Sequence, residues 1–257
     1  MCTVVFLRRP DHDWPLVLAA NRDEMAGRPW RPPARHWPDR PELVAGIDEL
    51  AGGTWLGIND RGMVAGVTNR RDSLGPDPAL RSRGELPLEA LDHADAAAAA
   101  EALGALDPAG WRSFNLFVAD DRDACWLRSL GPGRAEKIEV MEIPEGISML
   151  TALGLKSADS ARTRRFLPLF EAARPPEPGA GDWGDWPALL ARRDHESGAG
   201  PADAMCIATD RGFGTLSASL IAVGRPDERG PRVLWRFAGG PPGEAEWQDV
   251  ALAAVRG

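Results

Sequence analysis

The sequence predicts an α+β fold, and three observations carry the prediction. Short apolar runs rich in β-branched residues fill both ends of the chain, a helix-forming tract lies between them, and no stretch has the composition of an interdomain linker. About eleven strands and three helices, in the order β-rich, helical, β-rich, fit one domain over residues 1–257. A chain of 257 residues that is 44% hydrophobic can bury a sizeable core.

Taken in order, residues 2–8 and 15–20 read as two strands joined by a turn at His12-Asp13. The second strand runs into Asn21-Arg22-Asp23-Glu24, four polar residues expected at a strand end. Residues 25–42 are rich in Pro, Arg and Trp. Proline lacks the amide donor that a helix or central strand needs, so an irregular loop or lid is expected there. Residues 54–58 and 63–68 read as strands joined by the turn Asn59-Asp60-Arg61-Gly62. Residues 87–106 read as a helix, with proline at the start and a run of alanines. Residues 114–120 and 123–129 suggest one hairpin, 137–143 and 147–153 another. Residues 159–174 form an amphipathic helical pattern bent near Pro168, and a short helix follows over 187–195. Three further strands are expected at 205–210, 217–223 and 232–238.

A formal net charge of −8 disfavours nonspecific binding to nucleic acid or to an anionic membrane surface. No window approaches the ~18 apolar residues of a membrane helix. The opening has no basic leader and no cleavage site, so a soluble cytoplasmic protein without stable membrane insertion is expected. Three cysteines, widely spaced, do not make a disulfide framework. Cys125 and Cys206 lie in apolar runs and read as buried small hydrophobes. His12, His36, His93 and His195 form no metal-binding spacing, so neither a metal nor another cofactor is expected, although a noncovalent haem site stays open. Gly212-Phe213-Gly214-Thr215 reads as a tight hairpin, because it lacks the lysine and spacing of a phosphate loop. The arginine pairs at 70–71, 81 and 83, 164–165 and 192–193 read mostly as solvated faces, one of which could grip an anionic head group.

Cys2 stands apart because of its position. Cysteine is small enough for the initiator Met1 to be removed, which would leave thiol and α-amine on one residue. Reference pKa values of about 8.5 and 7.7 let that amine take the thiol proton near neutral pH. By itself the position is also what chance provides. Antiparallel pairing of the first two strands would bring Arg22 and Asp23 beside residues 2–4, to orient the amine or a substrate carbonyl or simply to form an ion pair. Asn69 is a candidate side-chain donor to an oxyanion, although spacing alone favours an asparagine that closes a strand.

Met1-Cys2-Thr3, Asn21-Arg22-Asp23-Glu24, Gly53-Thr54-Trp55-Leu56-Gly57 and Gly66-Val67-Thr68-Asn69 together resemble the NRDE family, the transport and Golgi organisation protein 2 family. The order and spacing match over the first 72 residues, and the likeness extends to Phe213-Gly214-Thr215. The family looks like a branch of the N-terminal nucleophile hydrolases, near choloylglycine hydrolases and penicillin V acylases. The resemblance implies a four-layer αββα sandwich, with Cys2 as nucleophile, Asp23 holding its amine and Asn69 donating to the oxyanion. Asn21, Arg22 and Trp30 are the expected substrate-binding residues. There are departures: Ala20 stands where the acylases commonly have arginine, Leu150-Thr151-Ala152 lacks an expected asparagine, and Leu216 replaces an arginine.

Two functions follow as expectations. One is an N-terminal cysteine hydrolase acting on a linear amide or thioester of a small acyl compound. The other is a non-catalytic binding or trafficking protein for haem or an acyl-CoA-type lipid. The Trp-, Pro- and Arg-rich segment 28–40 motivates the second, since it could cap a cleft with aromatic and cationic contacts.

Overall fold

The computed structural model describes residues 2–71, 73, 75 and 77–252. Its strands are β1 (Thr3–Arg8), β2 (Leu16–Met25), β3 (Trp30–Ala34), β4 (Leu43–Asp48), β5 (Leu56–Asn59), β6 (Val64–Asn69), β7 (Phe114–Ala119), β8 (Ala124–Ser129), β9 (Glu139–Glu142), β10 (Gly146–Thr151), β11 (Gly154–Leu155), β12 (Phe213–Asp227), β13 (Gly230–Ala238) and β14 (Trp247–Asp249). Its α-helices are α1 (Glu85–Leu91), α2 (Ala96–Gly104), α3 (Ala161–Ala172) and α4 (Trp186–Leu190). The fold is therefore α+β. Its strands form two seven-stranded sheets, ordered β11-β10-β1-β2-β12-β13-β14 and β3-β4-β5-β6-β7-β8-β9. Among the described residues no helix is long and apolar enough to cross a membrane.

The chain divides into two compact units. The first lies within 1–28, 144–224 and 233–250 and carries the first sheet with α3 and α4. Strand β1 runs antiparallel between β10 and β2, pairing Val5 with Met149 and with Ala19. Val5, Val17, Ala19, Met149 and Leu220 share one face and pack with Phe166 and Phe170 of α3 and Trp186 and Leu190 of α4. The alternate residues Val4, Phe6, Leu16 and Leu18 are buried as well. Burial on both faces is why these strands read as continuous apolar runs rather than alternating ones.

The second unit lies within 29–143, 225–232 and 251–257. Here α1 and α2 cover one face of the second sheet, burying Ala65, Val67, Leu116, Val118 and Leu127 against Leu91, Ala99 and Leu103. Gly53 is required by a close approach: a Cβ there would fall 2.5 Å from the backbone of Gly84.

Several expectations are corrected. Asn21–Glu24 does not terminate a strand, because β2 continues to Met25 and pairs with β12. Residues 25–42 are not wholly irregular. Trp30–Ala34 forms an edge strand against β4, with Pro32 and Pro33 at a register irregularity where missing donors cost no ladder bond. Strand β4 was not expected at all. The helix over 87–106 is two helices, parted where Asp95 caps α2 by accepting from Ala98 N. Strands β9 and β10 do not form a hairpin; β9 edges the second sheet and β10 belongs to the first. Residues 205–210 are not a strand but a hydrogen-bonded loop, with a single bridge from Ala208 to Gly214.

Candidate active site

The first unit gathers Cys2, Asn21, Arg22 and Asp23 at one end of its sheet. The pairing Thr3↔Asn21 and Asp23↔Thr215 puts Thr3, Asn21, Asp23 and Thr215 on the face that carries α3 and α4. Leu216 is the extra residue of a β-bulge between Thr215 and Ser217, directly beside Asp23. Bulges of this kind re-aim a neighbouring side chain. Leu150 stands opposite Val4, so the 150–152 stretch reaches the same end of the sheet as Cys2.

Asp23 is buried and held from two sides. Thr215 Oγ1 donates to its Oδ1 at 2.7 Å and itself accepts from the Ile207 amide at 2.8 Å. Arg162 Nη1 lies 3.4 Å from its Oδ2. The same guanidinium donates to Thr3 Oγ1 and, through Nη2, to the Ala202 carbonyl at 2.6 Å. Burial pushes the Asp23 carboxyl above the usual carboxylate range, and the charge of Arg162 opposes that rise.

Cys2 keeps some solvent exposure, yet its sulfur lies in surroundings poor in water. Burial raises the thiol above its ordinary value, and the Asp23 carboxylate adds to the rise. The Asp23 backbone N–H directed at the sulfur and the charge of Arg22 act the other way. The net effect keeps a protonated thiol at neutral pH. Met1, whose removal would free the amine of Cys2, lies outside the described residues.

Asn21 is fully buried, and its Nδ2 donates to the carbonyls of Leu190 and Met205 at 3.0 and 2.8 Å. That bonding ties the end of α4 and the 205–210 loop to β2. Its Oδ1 is buried without a hydrogen-bond partner among the described residues. Cys206 is buried as expected, with its thiol raised by burial and in contact with Arg193 and Thr215.

Asn69 and Trp30 belong to the second unit. Asn69 ends β6 opposite Phe114, is half-buried, and its side chain forms no hydrogen bond among the described residues. Trp30 stands on the edge strand in a T-shaped contact with Trp55, with ring centroids 5.8 Å apart. Among the described residues no group of three or more His, Cys, Asp or Glu could hold a metal ion.

Sequence reasoning missed Arg162 and the role of Thr215. A signal for Arg162 was present. Positions 162, 166 and 170 follow helical spacing, so Arg162 shares the buried stripe of Phe166 and Phe170. A cation in the first turn of a helix also opposes the helix dipole, so its place there is set by Asp23, Thr3 and Ala202 rather than by helix stability.

A cysteine-bearing strand end, backed by a buried carboxylate and guanidinium, sits in a two-sheet α+β protein. Residues 1–162 match the family described as Transport and Golgi organisation 2, and the chain belongs to that family. The Transport and Golgi organization 2 homolog of Mus musculus is 41% identical over 95 residues, which cover 34% of this chain and 33% of that protein. The human homolog gives the same identity over the same length and coverage. The match thus spans about a third of the length of these curated relatives. Among solved structures, penicillin V acylase from Agrobacterium tumefaciens aligns over 98% of both chains, with 11% identity and a TM-score of 0.47. A likeness at that level carries no argument about chemistry.

Proposed function

We propose that this protein is a non-catalytic binding or trafficking protein, serving a transport- and Golgi-organisation-type role. Its ligand is a hydrophobic anionic small molecule such as haem or an acyl-CoA. The observation that carries the reading is family membership over residues 1–162, with relatives named for transport and Golgi organization. The Trp30–Trp55 pair supplies aromatic surface for such a ligand. Titration with haem and with an acyl-CoA, followed by tryptophan fluorescence, tests the proposal. Binding of either below about 100 μM is expected, and failure of both overturns it.

A second reading rests on one specific observation, the backbone N–H of Asp23 directed at the Cys2 sulfur beside a buried carboxylate. In it the chain is an N-terminal nucleophile hydrolase with a four-layer αββα fold over 1–257. Removal of Met1 frees the amine of Cys2, Asp23 holds that amine, and the amine takes the thiol proton as the sulfur attacks an amide or thioester carbonyl; the proton passes to the departing amine or thiol, and water then hydrolyses the acyl thioester on Cys2. Arg22, whose charge acts on the Cys2 sulfur, positions the substrate, while Asn21 holds the surrounding loops through the carbonyls of Leu190 and Met205. An acyl adduct on Cys2, seen by intact mass after incubation with N-acyl amides and acyl thioesters, is its signature. No adduct, and no turnover abolished by Cys2→Ser, counts against it.

A further inference from the structure

One cross-strand row of the second sheet is polar. Thr68, Asn115, Arg128 and Glu139 stand opposite one another on β6, β7, β8 and β9. The row lies on the face away from α1 and α2, because the neighbouring Val67, Leu116 and Leu127 fill the helix-side core. Fully buried Asn115 organises it. Its Nδ2 donates to Thr68 Oγ1 at 3.3 Å, and its Oδ1 accepts from Arg70 Nη1 at 2.7 Å and Trp126 Nε1 at 3.2 Å. Arg128 lies over the Trp126 ring, 5.6 Å from its centroid, and pairs with Glu139 at 2.5 Å.

Arg70 is therefore anchored by a neutral amide rather than by a carboxylate. It is half-buried, and the charges acting on it are Arg128 and Arg134, opposed by Glu139. Burial and the two like charges disfavour its cation, which a guanidinium cannot discharge under ordinary conditions. Arg134 is exposed, and its side chain forms no hydrogen bond or ion pair among the described residues. Two guanidiniums, those of Arg70 and Arg128, are thus held by Asn115, Trp126 and Glu139, and the charge of the exposed Arg134 acts on Arg70 as well. A single carboxylate ligand needs only one fork, whereas a multiply charged oxyanion can use several.

We propose that Arg70, Arg128 and Arg134 form a binding site for the phosphate or diphosphate group of a small soluble ligand. The site is separate from Cys2 chemistry, and it rests on the carrier reading only in supplying that reading's anionic ligand with a docking point.

Calorimetric titration of the full chain with inorganic pyrophosphate, at constant ionic strength, tests it. The wild type is expected to bind. Arg70→Gln is expected to weaken binding about tenfold and Arg134→Gln several-fold. Among the described residues Arg134 has no side-chain hydrogen bond or ion pair to lose, so its variant keeps the test valid if Arg70→Gln fails to fold. Arg192→Gln, at another arginine pair, is expected to bind as the wild type does. Absence of wild-type binding, equal affinity in Arg134→Gln and wild type, or capture only by vesicles containing phosphatidic acid would overturn the proposal. Pyrophosphate carries neither acyl chain nor macrocycle. Its binding while haem and acyl-CoA fail would leave this site standing and remove the carrier reading; the reverse result would do the opposite.

Discussion

Asp23 and Arg162 form a buried ion pair that Thr215 and Thr3 complete. Removing one partner of such a pair strands the other charge, so Arg162→Ala is expected to cost about 3–5 kcal/mol. Arg174→Ala, at an exposed arginine, should leave stability close to that of the wild type. The pH dependence has a definite sign. Burial already raises the Asp23 carboxyl, so its charged form is the costly one. That cost is fully present above the folded-state value and is relieved as pH falls through it. Without Arg162 the rise is larger, so the deficit of Arg162→Ala should shrink between pH 7 and about pH 4. Equilibrium denaturation at both pH values measures this, and a constant or growing deficit would contradict it. The raised thiol gives a companion expectation. Alkylation of Cys2 by iodoacetamide, followed by peptide mass, should be slow at pH 7 and rise with a midpoint above the ~8.5 of a free cysteine. A midpoint below that value would show a thiol activated by its surroundings.

Elements whose signal is local were legible in the sequence. The β7–β8 hairpin and α3 fall where alternation and amphipathic spacing put them. Elements fixed by tertiary contacts were not. The edge strand β3 carries two prolines that only an edge position tolerates, and β4 owes its place to pairing on both sides. Polar residues 21–24 belong to a strand because β12 supplies their ladder, which no local pattern announces. The same holds at the site. Cys2 and Asp23 could be named from motif and strand pairing, but Arg162 comes from a helix 139 residues after Asp23 and reaches it only in the fold. The motif glycine Gly53 has a packing cause, so Gly53→Ala is expected to destabilise by roughly 1–3 kcal/mol through contact with the Gly84 backbone. Gly27→Ala meets nothing within 4 Å and should be close to neutral, a contrast that thermal denaturation resolves. Equal effects at the two positions would refute the packing account.

Across the whole chain, acidic net charge coexists with a local cluster of arginines on the second sheet and a desolvated thiol at the end of the first. An overall charge of −8 disfavours broad attraction to polyanions, so capture of an anion depends on fixed guanidiniums at one place. The carrier reading makes ligand binding independent of the nucleophile, whereas the hydrolase reading makes Cys2 indispensable. The most direct measurement is a side-by-side titration of wild type and Cys2→Ser with haem and an acyl-CoA, with product release followed in the same samples. Equal affinities below about 100 μM and no product from either protein are predicted. Absence of binding in both, or product formed by the wild type and lost in Cys2→Ser, would contradict the account.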